Sequence, residues 1–112
     1  MDIIEKIKEQ IDNNTILLYM KGDPTNPKCG FSAKASQVIM QCGVKFSYVD
    51  ILQNPEIRSN LPKYANWPTF PQLWVSGELI GGSDIIVEMA ADGSLKSLFK
   101  DVSEKVADWT EY

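Results

Sequence analysis

Histidine is absent from all 112 residues. Its absence excludes cysteine–histidine protease chemistry, histidine general-base chemistry and most zinc sites, each of which draws on an imidazole. Cysteine is scarce, with only Cys29 and Cys42. Long apolar runs are missing too. The longest, Ile16 to Met20, falls far short of the about 20 residues that a bilayer-spanning helix needs. No block of like charge marks a tail. The formal net charge of −4 excludes the broad basic surface that nucleic acid or an anionic membrane requires. Neither an internal repeat nor a linker nor a low-complexity segment interrupts the chain.

A chain of this length forms one domain, 1–112, able to bury a single core without staples. The opening Met1-Asp2-Ile3-Ile4-Glu5-Lys6 alternates charged and apolar groups, unlike the apolar core of a signal peptide, and predicts a cytosolic location. Asn13-Asn14-Thr15 fits the glycosylation acceptor pattern but reads as a plain turn in that setting. A structural disulfide is not expected there either. On one helix, Cys29 and Cys42 would stand roughly 20 Å apart and face nearly opposite sides. Bridged Cα atoms lie within about 7 Å. Cys42 reads instead as a small buried hydrophobe near the end of a helix.

Hydrophobic spacing sets the order of elements. Ile3, Ile4, Ile7 and Ile11 predict an amphipathic first helix. Ile16 to Met20 reads as a continuous buried strand, the pattern of a sheet covered on both faces. Gly22 to Lys28, stiffened by Pro24 and Pro27, is a loop. A helix from about Gly30 to Cys42 is stopped by Gly43, and Lys45 to Ile51 alternates as a strand. Asn54-Pro55-Glu56 starts a helix that runs toward Tyr64. Trp67 to Pro71 is irregular. Gln72 to Val75 and Glu78 to Ile80 form a hairpin across Ser76-Gly77. Ser83 is placed to cap a helix reaching about Ala91. Leu95, Leu98, Phe99, Val102 and Val106 mark a last helix, with a frayed tail over 108–112. The fold class is therefore α/β: a mixed four-stranded sheet flanked by helices, with a right-handed parallel crossover through 30–43.

The chemistry concentrates at Cys29. Dithiol redox proteins often carry Cys-x-x-Cys at the mouth of a helix, but here the second position is Ser32. A hydroxyl forms no disulfide and is no soft thiolate ligand. Cys29 therefore has no local partner, and its chemistry must be completed by a sulfur from another molecule. Just before a helix, the thiol meets unpaired N–H groups and the positive end of the dipole. Lys21 and Lys28 offer nearby charge, and Gly30 leaves out a side chain that could crowd the sulfur. Such surroundings lower a cysteine pKa and make a nucleophile or a metal ligand.

Cys29-Gly30-Phe31-Ser32 resembles the signature of the monothiol glutaredoxins. Three further blocks are similar to the same family: Leu18-Tyr19-Met20-Lys21-Gly22, Trp67-Pro68-Thr69-Phe70-Pro71-Gln72-Leu73 and Gly81-Gly82-Ser83-Asp84. Their order and spacing fit a single-domain member, and the resemblance covers about residues 3–106. The resemblance implies a thioredoxin-like glutaredoxin fold and glutathione as ligand. On that implication Lys21 and Arg58 pair with the glycine carboxylate of glutathione. Pro71 matches a cis proline, and the Phe70 backbone pairs with the extended tripeptide as an added strand does. The amides of Ser83 and Asp84, opening a helix, receive a carboxylate, and the Asp84 side chain takes the ligand amine. Without the resemblance, Arg58 reads as ordinary solvated charge, Ser83 and Asp84 as simple caps, and Phe31 as either a shield over the thiol or a core residue. Many relatives carry cysteine where this chain has Ser83, so a disulfide between Cys29 and that position is closed to it.

Two functions follow from the one thiol. A [2Fe–2S] cluster takes four thiolates. Cys29 from each of two chains and two glutathione thiols complete the set, which implies a homodimer that carries an exchangeable cluster to apo iron–sulfur proteins. The alternative is glutathione-dependent thiol–disulfide exchange (deglutathionylation) at Cys29, weak at most because no second thiol is present. The resemblance also implies BolA-like partners, with Trp67 or Tyr64 as candidates for such a surface or for packing.

Overall fold

The computed structural model describes residues 2–102 and 109–111. In chain order its elements are α1 (Ile3–Asn13), β1 (Ile16–Met20), β2 (Gly22–Asp23), β3 (Asn26–Pro27), α2 (Gly30–Gln41), β4 (Phe46–Asp50), α3 (Pro55–Ala65), β5 (Gln72–Val75), β6 (Glu78–Gly81), α4 (Ser83–Asp92), α5 (Ser94–Val102) and β7 (Trp109–Glu111). The main sheet runs β6-β5-β1-β4-β7. β1 lies parallel to β4, with Leu18 opposite Tyr48, and antiparallel to β5, with Leu18 opposite Leu73. β5 and β6 form the expected hairpin.

β1 is buried at every position because helices cover both faces of the sheet. Its side chains alternate between two cores. Ile16, Leu18 and Met20 join Phe46, Leu73, Ile86, Leu95 and Phe99 beneath α2, α4 and α5. Leu17 and Tyr19 join Ile7, Ile11, Ile57, Leu61 and Trp74 beneath α1 and α3. α1 opens as its sequence directs: the Asp2 carboxylate accepts the Glu5 N–H at 2.9 Å and caps the first turn. Among the described residues, no helix is long and apolar enough to cross a membrane.

Four details depart from expectation. The loop from Gly22 contains a small antiparallel ribbon, β2 with β3, in which Gly22 faces Pro27. α4 begins one residue earlier than a Ser83 cap would place it: Gly82 is the N-cap and Ser83 the first helical residue. Asn54 occupies the N-cap of α3 without capping it, and its Nδ2 donates instead to the Asp50 carbonyl at 2.8 Å. The tail expected to fray adds a fifth strand, because Trp109–Glu111 runs parallel to β4 in register with Phe46–Tyr48. An apolar spacing that fits a helix does not reveal where the chain turns back to a free sheet edge. Val106 lies outside the described residues.

Candidate functional site

Cys29 is the N-cap of α2, held extended at φ −150° and ψ 155°. Its Sγ accepts the Ser32 N–H at 3.3 Å and lies 3.4 Å from Ser32 Oγ. Ser32 is fully buried, and its Oγ accepts the Lys21 N–H at 3.0 Å. With an acceptor site of the hydroxyl used this way, its proton is free to point at an ionised sulfur. Burial pushes the Cys29 thiol up. The Ser32 hydroxyl, the N–H groups of Ser32 and Phe31, and the charge of Lys21 outweigh it, so the thiol titrates below its ordinary 9.0.

One of the expected helpers behaves differently: the charge of Lys28 acts on Asp23. Beyond its chain neighbours, a Cβ at Gly30 would meet nothing within 4 Å. Phe31 is 65% exposed, which rules out its reading as a core residue. Cys42 is half-buried at the end of α2; its thiol donates to the Val38 carbonyl at 3.3 Å, and burial pushes its pKa up against the opposing charge of Lys96.

Two cavities flank the start of α2. One, of about 270 Å³, is lined by Lys21 at the end of β1, Arg58 on α3, and Pro62, Pro68, Thr69 and Phe70. The other, of about 420 Å³, is lined among others by Phe31, Trp67, Phe70, Ser83, Asp84 and Ile85. Thr69 and Phe70 belong to both. Five of the six residues singled out in the sequence thus line this pair of cavities. Cys29 itself lies outside both linings, tied to the first through Ser32 and Lys21 and neighbouring Phe31 of the second. The Phe70–Pro71 bond is cis. Ser83 Oγ donates to the Phe31 carbonyl at 3.3 Å, tying the start of α4 to the first turn of α2.

Glycine at position 81 has a local cause. Its φ is +152°, and a Cβ there would lie 2.6 Å from Ile85 Cδ1. Among the residues given no glutathione-binding role from sequence, Thr69 lines both cavities and Trp67 lines one. Their signal was membership of the Trp67–Leu73 block. Trp67 Nε1 is buried without a hydrogen-bond partner. Tyr64, by contrast, packs its ring against Trp74 at 6.4 Å between centroids.

A four-stranded mixed core sheet between two helical layers, with a helix-capping cysteine and a cis proline ahead of β5, defines a thioredoxin-like thiol protein. The glutaredoxin family profile matches residues 16–80. The chain is 65% identical over 105 residues to glutaredoxin 4 of Haemophilus ducreyi, covering 94% of this chain and 98% of that one. It is 64% identical over 102 residues to glutaredoxin 4 of Escherichia coli K12, covering 91% and 89%. Among solved structures, reduced poplar apo GrxS14 is similar at a TM-score of 0.75 and 35% identity, over 88% of this chain and 91% of that one. A monomeric truncated mutant of Trypanosoma brucei 1-C-Grx1 reaches 0.80 at 31% identity, over 90% and 92%. This chain belongs to the glutaredoxin family and, with Ser32 in the second motif position, to its monothiol class.

Proposed function

We propose that this single-domain protein binds glutathione across the two cavities and, as a homodimer, carries a [2Fe–2S] cluster to apo iron–sulfur proteins of the cytoplasm. The observation that carries the reading is that Thr69 and Phe70 line both cavities, one of which holds the cations Lys21 and Arg58 and the other the start of α4. Glutathione has a carboxylate at each end. Lys21 and Arg58 suit its glycine carboxylate, and the open N–H groups of Ser83 and Asp84 at the start of α4 suit the other. The Phe70 backbone, between them, pairs with the extended tripeptide. The ligand thiol then falls beside Cys29.

The ligand count follows from that placement. Among the described residues, no three His, Cys, Asp or Glu side chains come together. Each chain supplies Cys29 as its one metal ligand at this site, and each glutathione supplies a second thiolate. Four thiolates therefore require two chains and two tripeptides. BolA-like proteins fit as partners of the loaded form.

The lowered pKa of Cys29 favours a second activity. Its thiolate attacks the glutathione sulfur of a glutathionylated protein, releasing that protein as a thiolate. A free glutathione thiolate then attacks the Cys29 mixed disulfide, freeing Cys29 and leaving oxidised glutathione. With no second thiol in the motif, this activity is slow.

Anaerobic reconstitution with iron, sulfide and glutathione separates the two. Carriage predicts visible cluster absorption in a species of twice the chain mass, lost in Cys29→Ser or without glutathione and retained in Cys42→Ser. A colourless monomer with brisk deglutathionylation overturns carriage. Loss of the cluster in Cys42→Ser refutes the ligand count.

A further inference from the structure

Gln72 opens β5 one residue after the cis proline and is fully buried. A buried amide is costly unless each polar atom finds a partner. This one does. Nε2 donates to the Trp67 carbonyl at 3.1 Å and to the Thr69 carbonyl at 3.3 Å. Oε1 accepts the Trp74 Nε1–H at 3.2 Å. An indole N–H can only donate, so Trp74 fixes which end of the amide is the carbonyl and turns the amide nitrogen onto the loop. Trp74 is itself buried in the α1 and α3 core and pressed by Tyr64.

The loop held this way is 67–70, which supplies Thr69 and Phe70 to both cavities. Its own tryptophan does not anchor it through the side chain, since Trp67 Nε1 is without a partner. The Trp67 N–H bonds the Pro62 carbonyl at 3.0 Å, which fixes only the loop entrance. We infer that Gln72 is a positioning residue: its side-chain amide, oriented by Trp74, sets the height at which the 67–70 loop presents Phe70 to a bound tripeptide. Gln72 touches no ligand and acts through two backbone carbonyls. The inference rests on the glutathione reading above and adds to it a residue from beneath the site.

The test is an NMR titration of the wild-type protein and its variants with reduced glutathione, well below their melting temperatures. Gln72→Met keeps the volume and removes both donors. Its Kd is expected to rise by about five- to tenfold, the scale of one or two lost neutral hydrogen bonds. Val75→Ala, at the far end of the same strand, lowers Tm through the core and should keep the wild-type Kd. Wild-type affinity in Gln72→Met overturns the inference, and so does an equal loss in Val75→Ala, which would reduce the effect to stability. If Gln72→Met does not fold, Trp74→Phe serves: it removes the donor that orients the amide, and Kd should rise by about two- to threefold. Wild-type affinity there also overturns the inference. Saturable wild-type binding with unchanged variants counts against Gln72 alone, whereas no saturable wild-type binding overturns the glutathione reading and this inference with it.

Discussion

The two thiols sit at opposite ends of one helix, and their surroundings push them in opposite directions. Cys29 meets hydrogen-bond donors and a cation; Cys42 meets apolar side chains and a carbonyl acceptor. Alkylation by iodoacetamide, followed by mass across a pH series, should label Cys29 with a midpoint below 9.0 and Cys42 with one above it. The thiolate of Cys29 is favoured by folding, so its contribution to stability is complete above the unfolded value of 9.0 and is lost as pH falls through the lower native value. Ser32→Ala should move the Cys29 midpoint upward. It also leaves the Lys21 N–H without its acceptor, a cost of about 1–3 kcal/mol in urea unfolding. An unmoved midpoint would mean that the helix start alone sets the thiol. The sequence made Cys29 legible but showed Ser32 only as a missing sulfur. Which lone pair of a hydroxyl is occupied depends on a strand end eleven residues away, and no local pattern encodes it.

Elements were more legible than the joints between them. Periodicity located α1, α5, β1 and β4, because one face or both must be buried, and cap, stop and turn residues located the other three helices and the β5–β6 hairpin. It could not show that Gly22–Pro27 closes into a ribbon, since that depends on backbone packing. Gly22 has φ +90°, and a Cβ there would lie 2.5 Å from the Asn26 carbonyl oxygen and 2.8 Å from the Lys28 nitrogen. Its N–H is held by Asp50 Oδ1 at 2.9 Å, and next to it the Lys28 N–H returns to the Lys21 carbonyl at 2.8 Å. Backbone atoms cannot step aside as a flexible side chain can. Gly22→Ala should therefore destabilise the fold by about 1–3 kcal/mol, read as a lower urea midpoint. Because the ribbon leads directly into Cys29, the same variant should slow alkylation of that thiol. A midpoint equal to wild type would show that the arch relaxes without cost. The Ser83 misplacement has a related cause: with Gly82 available to cap in extended geometry, the hydroxyl was free to bond Phe31 across 52 residues.

At the scale of the whole molecule, a small acidic domain with one recruitable thiolate can hold a four-thiolate cargo only by assembly. On the proposed reading, half of the cluster ligands are free tripeptides that exchange with solution, while the other half stay on the protein. Each dissociating glutathione opens a coordination position, and the open position is where an acceptor thiolate or a chelator enters. Occupancy then depends on free glutathione by mass action. Loaded protein desalted into buffer without glutathione should lose its visible absorption to a chelator faster than the same protein held in millimolar glutathione. The dimer should return to monomer in step with that loss, followed by sedimentation. Ophthalmic acid, a glutathione analogue with a methyl group in place of the thiol, should fill the same cavities without protecting the cluster. That outcome would show that protection depends on the sulfur and not on tripeptide binding alone. A loss rate indifferent to glutathione would place all four ligands on the protein, which one cysteine per chain at this site cannot supply.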